Sequence, residues 1–276
     1  MTRRSILFAL SAPRVVPGQT RQETRQETRQ EKGRAVRDAM LEALGGDRFL
    51  AMKDRVETGR VYSFYRDQLR GLSRASIYTR YVTAPDPPAP GELYVRERQS
   101  FFRKKDEDWA VLFDEHKGWQ ITFRGARPVP QATLDRYRET TRRNLFYTLR
   151  QRRGEPGLSV EYIGTDIFDN QPMDVIEFID AANVPVRVFV HQSTRLPVRQ
   201  MFVRRDPKTR DRDDEETVFG KFRDAGGGVQ WPFAVTRRRN GEKIFEVFSE
   251  SVTVNTGLTD ELFTLPANLQ ILEEAR

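Results

Sequence analysis

Apolar and polar side chains alternate along most of this chain, which is the pattern of strands with one buried and one exposed face. Turn-forming residues separate most of the alternating segments, so the sequence predicts about twelve strands joined mainly by short turns. Such connections favour a long antiparallel meander. The predicted strands are residues 56–65, 73–82, 93–102, 109–113, 119–123, 158–168, 174–180, 184–190, 198–204, 217–222, 229–237 and 244–254.

Two segments have a helical period instead. The period in residues 33–44 predicts a short helix, which ends at Gly45 and Gly46, a typical glycine C-cap. Residues 131–152 predict a longer helix with a mostly apolar stripe on an Arg-rich surface. Alternating strands leave one sheet face apolar, and these helices are the available cover. The chain is therefore predicted to be mainly β (α+β), with a curved sheet wrapped around a helix in one domain.

The basic charge of the chain is unevenly distributed. The formal net charge is +7, but residues 1–38 hold nine basic and four acidic side chains and so account for +5 of it. The remaining 238 residues are nearly balanced and contain no RNP-like aromatic segment or zinc-finger spacing. Binding to nucleic acid is therefore not expected.

The first residues resemble an export signal. Met1–Ala12 has arginines followed by a short apolar stretch, and residues 2–7 look like a twin-arginine signal. A disordered basic N-terminus or a misplaced start codon is the alternative. Thr20–Lys32 is a four-residue repeat without an apolar side chain. We expect residues 1–32 to form a leader and a disordered basic tether, and residues 33–276 to form a single domain.

Residue types that carry enzymatic chemistry are scarce. The chain has no cysteine, and its two histidines, His116 and His191, are expected at the surface. Asp206–Glu216 is dense in charge but lacks the spacing of a calcium loop, so we expect a solvated hairpin loop there. No catalytic residue, metal site or cofactor is predicted. The longest apolar run is also too short for a membrane-spanning helix, so an integral helical membrane protein is not expected.

Aromatic residues in strands from both halves of the meander are the remaining candidates for a binding site. They form either an ordinary filled core or the lining of a partly open barrel that holds an apolar ligand. The candidate apolar cavity residues, including two leucines of the second helix, are Tyr62, Phe64, Ile77, Tyr81, Trp109, Phe113, Trp119, Phe123, Leu145, Leu149, Trp231, Phe233 and Phe245.

The C-terminal half carries a resemblance that bears on this choice. Asp166–Phe178 leads through a strand into His191–Arg199, which contains a Ser-Thr-Arg-Leu-Pro turn. Thr217–Phe233 and the Leu-Phe-x-x-Pro segment in Leu258–Pro266 follow. In this order the motifs resemble the envelope proteins of the LolA/LolB lipoprotein-sorting group, over about residues 35–272.

This resemblance implies an unclosed antiparallel β-barrel of about 11–12 strands with a helical lid, which binds acyl chains of lipoproteins or lipids without a cofactor. The expected protein is non-enzymatic and periplasmic or otherwise in the cell envelope, with possible envelope protein partners. The alternative is a structural or sensory protein-interaction module on the same fold with a filled core.

Overall fold

The computed structural model describes residues 17–205, residue 209 and residues 211–273. The predicted export signal, Met1–Ala12, lies outside the described residues. The helices are α1 (Pro17–Leu44), α2 (Asp47–Leu50), α3 (Gln131–Arg142) and α4 (Leu145–Gln151), and a 3-10 helix spans Asp260–Phe263. The strands are β1 (Asp54–Tyr65), β2 (Gln68–Tyr81), β3 (Val95–Arg103), β4 (Asp106–Phe113), β5 (Gly118–Thr122), β6 (Gly125–Pro128), β7 (Ser159–Phe168), β8 (Gln171–Ile179), β9 (Pro185–His191), β10 (Pro197–Arg205), β11 (Arg212–Asp224), β12 (Gln230–Arg239) and β13 (Glu242–Val254).

The strands form one open antiparallel sheet. Its order is β6-β5-β4-β3-β2-β1-β13-β12-β11-β10-β9-β8-β7. The first strand of the chain, β1, therefore pairs with the last, β13, in the middle of the sheet, and β6 and β7 lie at its edges. This arrangement confirms the predicted mainly β fold with an unclosed antiparallel sheet. Each of the twelve predicted strands is present. The thirteenth, β6, has four residues that include Gly125 and Pro128, too few for a period to be recognised.

Positive backbone φ angles define two of the hairpin turns. Asp169 and Asn170 have φ of 51° and 57°, and Asn240 and Gly241 have φ of 51° and 84°. A turn with two consecutive residues at positive φ matches the right-handed twist of the flanking strands. Asn, Asp and Gly adopt positive φ most readily. These turns fix the register of β7 with β8 and of β12 with β13.

The helical segments differ from the prediction in extent. Residues 131–152 form two helices, because the chain is extended at Asn144, whose side chain accepts a hydrogen bond from Tyr147 N and caps α4. Helix α1 begins well before the predicted Gly33 and includes residues 20–32. Arg, Gln and Glu propagate a helix well once its packed end has formed. Side chains 25–29 of α1 are exposed, and the division into tether and domain stays a prediction.

Helices α1 and α4 cover one half of the sheet. Their apolar residues, among them Met40, Leu44 and Phe146, form the largest buried cluster with side chains of β7 to β12. Gly33 allows the close approach of α1 to the edge strand, because a Cβ atom there would lie 2.9 Å from the carbonyl carbon of Glu161. We call the sheet side that faces α3 and α4 the helix face, and the other side the outer face.

The chain after β13 covers part of the outer face. Leu258, Leu262 and Phe263 pack on a small apolar cluster of β4, β5 and β6. A parallel bridge between Ala126 and Ile271 also pairs this tail with the edge strand β6. The tail therefore protects an edge that would otherwise expose unpaired backbone groups.

One buried carboxylate, that of Asp54, connects β1 to this tail. It accepts hydrogen bonds from Thr256 N at 2.6 Å, Thr256 Oγ1 at 2.8 Å, Gly257 N at 3.0 Å and Leu258 N at 3.2 Å. We expect Asp54→Ala to lower the free energy of unfolding by about 2 kcal/mol, because the backbone donors lose a charged acceptor.

Denaturant unfolding measures this effect, with Asp260→Ala as the control. Asp260 is exposed and pairs with Arg80 and Arg96, so its loss is expected to cost less than about 1 kcal/mol. Equal costs for the two variants would contradict the assigned role of Asp54.

Candidate functional site

A cavity of about 500 Å³ lies between the helix face and α3. Its wall comes from α3, α4 and the strands β1 to β4, β12 and β13, which are brought together by the pairing of β1 with β13. The lining residues are Arg55, Thr79, Tyr81, Val95, Glu97, Gln99, Phe113, Thr133, Arg136, Tyr137, Thr140, Thr141, Asn144, Phe146, Tyr147, Trp231, Arg237, Arg239 and Ile244.

A smaller space of about 170 Å³ adjoins this cavity. Trp231, Phe146 and Arg55 are among the residues that border both spaces. The smaller space extends towards Gln200, Phe202 and Glu215 on β10 and β11, and so lies under the junction of α3 and α4. We refer to the two together as the sheet–helix cavity.

Aromatic rings form part of the lining. Phe113 and Tyr137 stack with their centroids 3.8 Å apart and their planes 6° from parallel, which fixes α3 above β4. Phe146 packs against Trp231 at 4.6 Å. Burial raises the pKa of Tyr81, so its phenol stays protonated near neutral pH. These rings offer an apolar surface to a ligand.

A buried arginine lies beside this aromatic surface. The guanidinium of Arg55 lies over the Trp231 ring, 4.2 Å from its centroid, and donates to Thr79 Oγ1 at 2.9 Å. It also pairs with Glu57 at 3.3 Å. Its Nε has no hydrogen-bond partner. Arg55 thus brings a partly unsatisfied donor to the wall between the two spaces.

More arginines surround the buried carboxylate of Glu215 at the far end of the cavity. Arg239 Nε lies 3.1 Å from it, Arg204 Nη1 3.2 Å and Arg237 Nη2 3.8 Å. The predicted solvated loop over Asp206–Glu216 is therefore wrong for its last residues, because β11 begins at Arg212 and carries Glu215 into the helix face. Residues 206–208 and 210 lie outside the described residues.

Of the residues that the structure describes, Glu97 is the one carboxylate that lines the larger space. Burial raises its pKa, although a hydrogen bond from Gln99 Nε2 at 2.5 Å and the charge of Arg55 act in the opposite direction. The lining is therefore mixed, with apolar rings and buried charges together, where the sequence predicted an apolar one.

Solved structures of other proteins have an architecture similar to that of this chain. No family model and no curated protein matches the sequence. A protein domain from Vibrio parahaemolyticus, named for outer membrane lipoprotein sorting, aligns with a TM-score of 0.55 at 11% identity over 85% of this chain and 97% of that one. A LolA superfamily protein from Nitrosomonas europaea aligns with a TM-score of 0.51 at 11% identity over 84% and 97%. The chain has a LolA-like fold.

A third structure agrees with this assignment. A DUF1329 family protein from Desulfovibrio piger aligns with a TM-score of 0.56 at 12% identity, over 86% of this chain and 99% of that one. The resemblance noted in the sequence motifs is thus confirmed for the LolA-like fold. At these identities the similarity establishes the fold alone.

Four of the thirteen candidate residues line the sheet–helix cavity of this LolA-like fold. They are Ile77, Tyr81, Phe113 and Trp231. Leu145, Leu149 and Phe233 are buried in the largest apolar cluster and fill the space beside the cavity. Phe245 packs with Val61 and Val247 in a separate small cluster.

The other candidates lie elsewhere. Tyr62 and Phe64 are on the outer face, where Tyr62 packs edge-on against Phe248 and Lys243 lies over Phe64. Trp119 packs under the C-terminal tail. Phe123 is 87% exposed in the turn after β5. Trp109 stacks on Phe101 at 3.9 Å. Ligand contact by any of the thirteen stays a prediction.

The charged lining residues were not among the candidates. Arg237 and Arg239 are part of a run of three arginines, which carries no period that separates an inward from an outward position. Arg55 and Glu57 alternate with Val56, and that pattern by itself favours the valine as the inward residue. Only the pairing of β1 with β2 and β13 shows that Arg55 and Glu57 face the helices.

The histidines have the surface positions that were expected. His116 is exposed in the turn after β4. His191 Nδ1 accepts hydrogen bonds from Ser193 N at 3.1 Å and Thr194 N at 3.2 Å, so it stabilises the turn after β9. In the described part of the chain, no cluster of three or more His, Asp or Glu residues is arranged to hold a metal ion.

Among the described residues, no helix combines the length and the apolar character that crossing a bilayer requires.

Proposed function

We propose that the protein is an exported, non-enzymatic protein of the cell envelope that binds acyl chains of lipids or lipoproteins in the sheet–helix cavity. The LolA-like fold and the lipoprotein-sorting domain among its structural neighbours support this function. The single observation that carries the proposal is the cavity itself, which lies between a curved antiparallel sheet and its helical cover.

The size and lining of the cavity suit an acyl chain. Its volume of about 500 Å³ is within the range of about 300–1,000 Å³ typical of small-molecule sites. Each buried methylene group contributes about 0.8 kcal/mol, so a chain held against Trp231, Phe146 and Tyr137 gains affinity without any sequence-specific polar contact.

The alternative, a structural or sensory module with a filled core, fits the structure less well. A filled core requires close packing between the sheet and the cover, with no space larger than a few water molecules. Leu44 and Leu149 are closely packed in this way near α1, but the sheet–helix cavity lies open beside them under α3. Envelope protein partners are also part of this proposal.

Ligand binding by the purified protein tests the proposal directly. We expect the neutral dye N-phenyl-1-naphthylamine to gain fluorescence with the protein and to be displaced by lauryl alcohol or laurate. Native mass spectrometry of the protein isolated from an envelope fraction is expected to show a bound lipid. A protein that neither binds the dye nor carries a lipid would overturn the proposed function.

A bulky residue at the rim should reduce this binding. Thr133 lines the cavity from the first turn of α3 and is exposed. We expect Thr133→Trp to weaken displacement of the dye by lauryl alcohol about tenfold, equivalent to about 1.4 kcal/mol, because the indole occupies space that the chain needs. The measurement is the dye-displacement titration with each variant.

The neighbouring Ala132 provides the matched control. It is exposed on the same turn of α3 and does not line the cavity. Ala132→Trp is expected to bind like the wild type. A similar loss in both variants would show that the effect comes from the helix surface and not from the cavity.

A further inference from the structure

Arginines outnumber carboxylates among the described residues that line the larger cavity. These arginines are Arg55, Arg136, Arg237 and Arg239, and the carboxylate is that of Glu97. An acyl chain alone does not require any of these charges. Arg55 is buried, and Arg237 and Arg239 are partly buried. Arginines that are withdrawn from solvent reduce stability unless they are paired, so their presence in a ligand cavity needs a reason.

The nearby carboxylates are unevenly shared among the arginines. Arg55 pairs with Glu57 at 3.3 Å and Arg204 with Glu139 at 2.7 Å, whereas the other lining arginines depend mainly on one shared carboxylate or form no ion pair among the described residues. Arg237 and Arg239 share Glu215 with Arg204, which adds a third arginine to the same carboxylate. Asp213 lies 3.8 Å from Arg239 and is partly exposed. Over the ranges 17–205 and 211–273, Arg136 forms no ion pair.

Like charges act on one another at this end of the cavity. Burial lowers the pKa of Arg237, and three neighbouring arginines lower it further, although Glu215 raises it. Burial also lowers the pKa of Arg136, with additional repulsion from Arg239 and Arg204. The lowered pKa values of Arg136 and Arg237 mean that keeping both guanidinium groups charged costs free energy. An additional negative charge nearby would reduce this cost.

The aromatic and the basic parts of the lining belong to the same space. Tyr137 and Arg136 are adjacent on α3, and Trp231 and Arg237 are on the same strand, β12. A ligand that touches the rings therefore extends within one cavity to the guanidinium groups. Guanidinium groups bind carboxylates and phosphates through charge-assisted, often bidentate hydrogen bonds.

We propose that the cavity selects acidic amphiphiles, with the acyl chain against Trp231 and Tyr137 and the carboxylate or phosphate head group against Arg136, Arg237 and Arg239. This inference rests on the proposed function and narrows its ligand class. It predicts that the head group, and not only the chain, determines affinity.

A pair of ligands with the same chain separates the two contributions. Laurate and lauryl alcohol differ only in the head group, and laurate is ionised at pH 8. We expect laurate to bind the wild-type protein about tenfold more tightly, as one or more charge-assisted hydrogen bonds would give. Lauryl phosphate is expected to behave like laurate. Inorganic phosphate is expected to displace neither, and displacement by phosphate alone would indicate a site for a free anion and overturn the amphiphile assignment.

Variants of the arginines locate the head group. Arg136→Gln is expected to remove most of the preference for laurate, because it weakens the binding of laurate much more than that of lauryl alcohol. Because Arg136 is exposed and forms no ion pair in the described ranges, this variant should fold normally. Arg237→Gln should have the same effect, and thermal unfolding checks whether the loss of its contact with Glu215 affects the fold.

Arg238→Gln is the matched control. Arg238 lies between the other two arginines of β12, but on the outer face, where it pairs with Glu216 at 3.2 Å. We expect its substitution to leave the ratio of the two affinities unchanged. A loss of preference in this variant as well would point to a general effect of net charge and contradict the assigned head-group contacts.

The outcomes distinguish this inference from the proposed function. Equal binding of laurate and lauryl alcohol, or an unchanged preference in Arg136→Gln, overturns the head-group assignment and leaves acyl-chain binding intact. Binding of neither ligand overturns the proposed function itself.

Discussion

Replacing Glu155 with alanine is expected to lower the free energy of unfolding by about 3–5 kcal/mol, the cost of leaving a buried charge without its partner. Glu155 Oε2 accepts from Arg152 Nε at 2.6 Å, and Glu155 Oε1 accepts from Arg152 Nη2 at 2.8 Å and Arg142 Nη2 at 3.0 Å. The side chains of Arg152 and Glu155 are only 4% and 2% exposed. These contacts connect the end of α4 to α3 and hold the helical cover together.

Denaturant unfolding measures the loss, and Glu250→Ala is the control. Glu250 pairs with Arg60 and Arg74 on the outer face, where all three side chains are about half exposed. Solvent screens such pairs, so the control is expected to lose less than about 1 kcal/mol. Comparable losses in the two variants would contradict a special role for the buried pair.

The same carboxylate gives a pH dependence that serves as a second readout. Burial raises the pKa of Glu155, but the hydrogen bonds and charges of Arg152 and Arg142 outweigh it and hold the pKa below its ordinary value. The stabilisation is therefore fully present above the pKa of about 4.3 that Glu has in an unfolded chain, and it is lost as the pH falls through the lower folded-state pKa. In Glu155→Gln, thermal unfolding should lack this part of the acid-induced loss.

Much of the fold could be predicted because alternation reports directly on a sheet with one covered face. The twelve longer strands, the end of α1 at Leu44 and the hairpins at Asn170 and Gly241 follow from local sequence. The break at Asn144 could not be recognised, because Tyr137 and Thr141 before it and Leu145 and Leu149 after it follow one helical period. A local cap, and not the period, decides where α4 begins.

The site was harder to predict because the inward phase of a strand depends on its neighbours. In β1, Val56 and Tyr62 share one face, which suggested that this face points inward. The helix face instead receives Arg55, Glu57 and Val61. Large side chains on the outer face are accommodated by packing such as that of Tyr62 on Phe248. Apolar character alone therefore does not identify the cavity lining of an open sheet whose two faces both carry rings.

Replacing Trp231 with alanine is expected to cost about 3–5 kcal/mol of stability and to change ligand binding as well. The ring is buried, packs on Phe146 at 4.6 Å and lies under the guanidinium of Arg55 at 4.2 Å. Removal of the indole leaves a void in the wall between the two spaces, and the guanidinium of Arg55 then faces this void. Denaturant unfolding and the titrations with laurate and lauryl alcohol measure the two effects.

Trp119→Ala separates these effects from the general cost of losing a tryptophan. Trp119 is half-buried under the C-terminal tail on the outer face and does not line the cavity. Its loss is expected to be less destabilising and to leave both affinities unchanged. In Trp231→Ala, the affinities for lauryl alcohol and laurate should fall by a similar factor, because both ligands lose the same contact of the acyl chain, and laurate should remain the tighter ligand through its contacts with Arg136 and Arg239. If both tryptophan variants bound both ligands like the wild type, the acyl chain would have to lie outside the sheet–helix cavity.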